Sequence, residues 1–200
     1  MSIIKPKSLN TNVILLLHMS QNSYNIKIVL ALLKSENHVR GLARILGTNQ
    51  TNIARKVQEL SKENIVDFKQ EGRNKVFFLK KTLEAKQYTY SAEMQKLIDA
   101  IKKYPSLRKI IEAIKKNEKI SIAILFGSYA KNTASKESDI DIYINTKDTK
   151  VKREVEIIDS KINVKIGIYN NDSLLIKEID KNHVIIKGVE SYYEKNKFFD

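Results

Sequence analysis

Asp139 and Asp141, set two apart in the apolar run of Ile140, Ile142 and Ile144, are the residues of this 200-residue chain best spaced for chemistry. Side chains alternate along a strand, so this spacing predicts both carboxylates on one face and the three isoleucines in a core. Two adjacent carboxylates repel unless a cation neutralises them, and Mg²⁺ bridging to substrate phosphates is the usual solution. Upstream, Ile122, Ile124 and Phe126 have the period and bulk of a buried strand, which Gly127 ends before Ser128 opens a short helix. A helix start offers unpaired N–H groups and a partial positive charge, which suit a triphosphate. Gly127, Ser128, Lys131, Ser138 and Lys165 are accordingly the candidates for holding a nucleotide, and Asp139 and Asp141 those for catalysis and metal.

The run from Gly127-Ser128 to Ser138-Asp139-Ile140-Asp141 resembles the signature of the DNA polymerase beta-type nucleotidyltransferases, and is most similar to the minimal members found in prokaryotes. The resemblance implies Mg²⁺ on Asp139 and Asp141 and ATP or another NTP as substrate or ligand, with Ser128 at the β and γ phosphates. It also implies transfer of a nucleotidyl group, most simply AMP, to a hydroxyl of a protein or nucleic acid.

Two departures bear on that activity. Family members usually carry a third carboxylate on a neighbouring strand. Here the corresponding run is Lys161-Ile162-Asn163-Val164-Lys165-Ile166-Gly167-Ile168, with Ile162, Val164, Ile166 and Ile168 expected inward and Asn163 and Lys165 expected toward the site. The third acid helps hold the cation that activates an attacking hydroxyl, so its absence leaves turnover open while nucleotide binding is expected. Asn132 replaces a second glycine, a smaller change because Asn tolerates left-handed backbone.

The elements before this site read as a winged helix-turn-helix. Ile26, Val29, Leu30 and Leu33 have helical spacing, as do Val39, Leu42, Ala43 and Leu46. After the Gly47-Thr48-Asn49 turn, Ile53, Ala54, Val57 and Leu60 predict the buried face of a third helix. Its other face is expected to carry Gln50, Thr51, Asn52, Arg55 and Lys56, amides and hydroxyls that can read base edges beside cations that can hold phosphate. Residues 65–69 and 75–80 read as the strands of a wing, with Gly72 permitting the turn and Arg73 at the tip. Residues 22–85 hold twelve Lys and Arg against six Asp and Glu. The segment resembles the winged helix DNA-binding domains of prokaryotic regulators, which implies double-stranded DNA as a partner.

The predicted fold class is therefore α+β: an N-terminal extension (1–21), a winged helix-turn-helix (22–82), a helical connector (83–105) and a small nucleotidyltransferase-fold mixed sheet with flanking helices (106–200). In the connector, Met94, Leu97, Ile98 and Ile101 form a stripe that serves either a homodimer or an intramolecular strut. Residues 173–179 and 182–190 resemble the closing helix and short final strand of small nucleotidyltransferase proteins of archaea, and Tyr192, Tyr193, Phe198 and Phe199 are expected to seal an edge of the core. A net charge of +13 and a pI near 9.6 suit polyanionic partners. The absence of cysteine excludes disulfides, Cys-based zinc and thiol nucleophiles, and His18, His38 and His183 lack metal-ligand spacing. The apolar run from Val13 to Met19 is too short to span a bilayer and reads as a strand or buried segment, so a cytoplasmic protein with no membrane partner is expected. Three readings of function follow: a nucleotidyl-transferring enzyme, a DNA-binding regulator whose second domain senses nucleotide or dimerises, and, as the resemblance to minimal nucleotidyltransferase antitoxins implies, a protein acting on a toxin-like partner.

Overall fold

The computed structural model describes residues 24–200, which fall into two compact units divided between Lys80 and Lys81. The predicted extension and the run from Val13 to Met19 lie outside the described residues.

The first unit runs α1 (residues 24–34), β1 (Asn37–His38), α2 (Val39–Ile45), α3 (Gln50–Lys62), β2 (Val66–Glu71) and β3 (Asn74–Leu79). Its three strands pair antiparallel in the order β1-β3-β2. Three helices with a terminal hairpin, the hairpin joined to a short strand before α2, make a winged helix. Asn49 starts α3 because its side chain accepts a hydrogen bond from the Asn52 N–H at 2.8 Å, satisfying one of the orphan donors of the first turn. The wing turns on two residues, Gly72 and Arg73, between the paired Glu71 and Asn74. Gly72 has φ +58°, the left-handed backbone that such a tight hairpin asks of its first turn residue.

Ile28, Val29 and Leu32 of α1 are buried, as are Leu42, Ile53, Val57 and Leu60 of α2 and α3. The buried face of α1 is thus rotated from the predicted one, since Ile26, Leu30 and Leu33 are only half-buried.

The second unit opens with α4 (Leu83–Lys103), started by the Thr82 hydroxyl accepting from the Ala85 N–H, and α5 (Leu107–Lys116). It continues with β4 (Ala123–Leu125), α6 (Gly127–Ala130), β5 (Ile140–Asn145), α7 (Thr149–Glu156), β6 (Ile162–Gly167), α8 (Leu174–Lys181), β7 (Val184–Lys187) and α9 (Val189–Asn196). The sheet order is β6-β5-β4-β7, with β5 and β6 parallel and the other pairs antiparallel, so the sheet is mixed as expected.

This sheet is buried on both sides. One face gives Ala123, Leu125, Ile140, Ile142, Ile144, Ile162 and Val164 to a core completed by Leu97 and Ala100 of α4 and the apolar stripe of α5. On the other face Ile124, Tyr143 and Ile185 lie in register across three strands. Ile122 and Ile124 therefore face away from Ile140, Ile142 and Ile144. Ile168, expected inward, lies past the end of β6 and is 57% exposed.

The second face is closed by aromatic rings. Tyr169 stacks edge-on with Tyr143 and Tyr192, and Tyr193 meets Tyr192, Phe198 and Phe199. The Asp180 carboxylate accepts from both Tyr169 and Tyr192 hydroxyls, at 3.1 and 2.7 Å. Burial, and then the Asp180 charge, push both phenols upward from their ordinary range. The connector stripe divides as well: Leu97 is buried, whereas Met94 and Ile98 are exposed. No helix among the described residues is long and apolar enough to cross a membrane.

Candidate functional site

The carboxylates stand at the start of β5, where the strand register fixes their neighbours. Asp141 lies directly across from Asn163 of parallel β6, and the Asn163 amide Nδ2 donates to Asp141 Oδ1 at 2.9 Å. Of the two positions expected toward the site, Asn163 faces Asp141, while Lys165 is one step further along, across from Tyr143, and exposed. An amide, not a carboxylate, thus stands across from Asp141. Among the described residues no cluster of three or more His, Cys, Asp and Glu could hold a metal ion.

Gly127 comes against the same carboxylate. Its φ is +67°, and a Cβ placed there would collide with Asp141 Oδ2. Both the backbone conformation and the missing side chain are therefore required for β4 to turn into α6 beside Asp141. The turn starts one residue earlier than expected, because α6 begins at Gly127 itself, after Phe126. Asn132 has φ +60°, so it takes the left-handed backbone at the position of the second glycine.

Asp139 lies on the lead-in to β5, immediately before its first residue. The lead-in is tied to β6 by the Ile140 N–H, which donates to the Lys161 carbonyl at 2.8 Å. Ser138 stands just before it and accepts from the Ser135 N–H at 2.9 Å, so its hydroxyl shapes the loop. Lys131 pairs with Glu178 of α8 at 3.1 Å, and that hydrogen bond and charge hold the Glu178 carboxyl below its ordinary range. A phosphate drawing on Lys131 would have to compete with Glu178. Asp141 beside Gly127, with Asp139 two residues before it, is a donor set that fits a hydrated Mg²⁺ bound mainly through substrate phosphates, the mode that needs only one or two protein carboxylates.

In the first unit Gln50, Thr51 and Arg55 are exposed on α3, Asn52 is half-buried, and Arg73 is exposed at the wing tip. Arg55 is tethered by Glu59 at 2.9 Å and by the Asn52 side chain at 3.3 Å.

Lys56 is not on the outward face. It is 2% exposed, because positions 53, 56, 57 and 60 form a single helical stripe and Lys56 falls within it. Its ammonium reaches Glu59 Oε2 at 2.7 Å, and that hydrogen bond holds the Glu59 carboxyl below its ordinary range.

Sequence reasoning passed over a second buried charge. Glu93 of α4 is buried with Tyr90 and Leu97, accepts from the Tyr193 hydroxyl at 3.1 Å and pairs with Lys96 at 2.8 Å. Burial alone would raise its pKa, but the His183 ring, with Nε2 at 3.6 Å, and the Lys96 ammonium outweigh that and hold the carboxyl at about 2. The signal was available in the spacing, since 90, 93, 97 and 100 make one buried helical stripe with an acid inside it.

No curated protein sequence is significantly similar to the chain. Among solved structures it is similar to the adhesin competence repressor of Streptococcus pyogenes, with 20% identity and a TM-score of 0.40 over 50% of this chain and 76% of that one. It is also similar to a homodimeric winged helix-turn-helix DNA-binding domain of Mycobacterium bovis, a possible ArsR-family regulator, with 14% identity and a TM-score of 0.33 over 48% of this chain and 92% of that one. The family model of the polymerase beta nucleotidyltransferases matches residues 108–191, which span α5 to α9 and include Gly127, Asp139, Asp141 and Asn163. Residues 108–191 are thus a polymerase beta-type nucleotidyltransferase domain, carried in the same chain as a winged helix.

Proposed function

We propose that this protein binds duplex DNA through α3 and the wing, and binds a nucleoside triphosphate with Mg²⁺ through Asp139 and Asp141, holding the nucleotide with little or no transfer. The observation that carries this reading is Asn163 in register with Asp141 and hydrogen-bonded to it. Asp141 keeps one carboxylate oxygen toward the Gly127 turn, which leaves it able to anchor a phosphate-bridging cation. The amide of Asn163 donates where an acid would accept a second cation, so an attacking hydroxyl lacks the group that would help remove its proton. Asp139 and Asp141 would hold Mg²⁺, whose charge would offset that of the phosphates, and the absence of a side chain at Gly127 lets the turn lie against Asp141.

The DNA part rests on exposed Gln50, Thr51 and Arg55 along one stretch of α3 and on Arg73 at the wing tip. Amides and hydroxyls beside cations suit base edges and phosphates together. A nucleotide-responsive DNA-binding regulator is the function that joins the two units.

The test is transfer of label from α-labelled ATP, with Mg²⁺ and co-purifying proteins or nucleic acid as acceptors. The parent chain is expected to transfer little, Asn163→Asp to raise transfer about tenfold or more by restoring the third acid, and Lys165→Asp to leave it unchanged. Robust transfer by the parent, or a gain from Lys165→Asp alone, would overturn the reading.

A further inference from the structure

The core face of the wing sheet does not end where α3 stops covering it. Val66, Phe77 and Leu79 of that face are buried, but Phe68, in register with Phe77, emerges beyond them at 41% exposure. The two rings lie 5.9 Å apart and continue the apolar surface into a groove of about 620 Å³ between α3 and the wing. That volume is in the range of small-molecule sites, roughly 300–1,000 Å³. Val57 and Ala54 of α3 form the opposite wall.

The groove's charge is one-sided. Arg40, Lys62, Arg73 and Lys75 line it, and no carboxylate among the described residues does. None of the four is held in an ion pair among the described residues; Lys75 instead lies over the Phe68 ring, 4.0 Å from its centroid. An apolar aromatic floor under uncommitted cations is complementary to a molecule that joins a flat apolar body to a negative group. Duplex DNA supplies the negative charge but keeps its rings stacked inside the helix, so it leaves the floor unfilled.

We infer that this groove is a binding site for a small aromatic anion, a carboxylate or phosphate ester, whose ring packs on Phe68 and Phe77 and whose charge is met by Arg73 and Lys75. Gln50 and Arg73 belong both to this groove and to the proposed DNA surface, so the ligand competes with DNA. The site stands on the groove alone; the competition rests on the DNA reading.

Amide chemical-shift mapping of the full chain separates the two. Titration with 2-naphthoate is expected to give saturable shifts confined to residues around 68, 73 to 77 and the facing side of α3. 2-Naphthylmethylammonium is expected to give none, and inorganic phosphate only weak ones. Because both side chains are exposed, Arg73→Ala with Lys75→Ala should keep the fold and weaken naphthoate binding about tenfold, a loss typical of a charge-assisted hydrogen bond. Absence of shifts, equal response to the cation, or undiminished binding by the double variant would overturn the site. Duplex binding, measured by anisotropy without naphthoate, tests the DNA reading separately. If duplex binds and naphthoate binds but does not displace it, the competition is wrong.

Discussion

The two sheets of this protein use the same ingredients, apolar faces edged with lysine and acid, in opposite ways. In the second unit both faces of the sheet are covered and the charged groups near it are committed: Asp180 to two tyrosines, Glu93 to Lys96, Lys131 to Glu178, Asp141 to Asn163. In and beside the wing sheet one aromatic is exposed and, although Lys69 pairs with Glu36 and Glu71, Arg40, Lys62, Arg73 and Lys75 make no ion pair among the described residues. Binding energy comes from groups that are not already satisfied, because a cation paired in the free protein gains less from a phosphate than one held only by water. On the proposed reading, the first unit is the one that attracts a polyanion. The second is built to hold its geometry, with Asp141 closely packed against the Gly127 turn.

The largest expected effect tests the committed side of this contrast. Glu93 titrates at about 2 in the folded chain against 4.5 unfolded, so it contributes stability that is complete above pH 4.5 and is lost as pH falls from there toward 2. Glu93→Gln should cost about 3 kcal/mol at neutral pH, as removal of one partner from a buried pair does. It should also flatten the loss of stability between pH 4.5 and 2. Denaturant unfolding across that range is the check; an unchanged acid limb would mean that the charge is not held as described.

The proposed DNA surface is tested by Arg55→Ala, a residue tethered by Glu59, together with Arg73→Ala at the wing tip. Duplex affinity should fall roughly tenfold to a hundredfold, and the slope of log affinity against log salt should shrink by about 2, one for each phosphate that is no longer neutralised. Unaltered binding and slope would move the nucleic-acid surface off α3 and the wing.

Both outcomes bear on how much can be read from residues alone. The alternation of Ile140, Ile142 and Ile144 and the Gly127 to Asp141 spacing are enough to anticipate the mixed sheet and the turn, because burial on one face leaves strand register little choice. The winged helix is legible for the same reason: Gly72 and the stripes of Leu42 and of Ile53, Val57 and Leu60 each admit one arrangement.

What is illegible is the difference between a cation that snorkels and one that points outward. Lys56 occupies the position one turn from Ile53 and Leu60, where a long apolar stem can lie in the core while its ammonium reaches Glu59. Its residue type points to the DNA face, but its angle on the helix decides otherwise. The choice between Asn163 and Lys165 needs the pairing of β5 with β6, which no single strand contains. The groove beside Phe68 depends on where α3 stops covering the wing sheet, and that is a tertiary fact.

The smallest effect sharpens the Lys56 assignment. Lys56→Met keeps the stem's volume and removes the buried charge, so duplex affinity should stay within about twofold of the parent, and stability should change little because Glu59 is partly exposed and keeps Arg55 as a partner. A loss of DNA affinity comparable to that of Arg55→Ala would return Lys56 to the outward face.

The central claim is that Asp139 and Asp141 hold a nucleotide through a cation, and calorimetric titration with a non-hydrolysable ATP analogue tests it most directly. With Mg²⁺ present, affinity should rise about tenfold or more over the metal-free value in the parent chain, and that rise should vanish in Asp139→Asn with Asp141→Asn. Equal nucleotide affinity with and without Mg²⁺ in the parent would contradict the account.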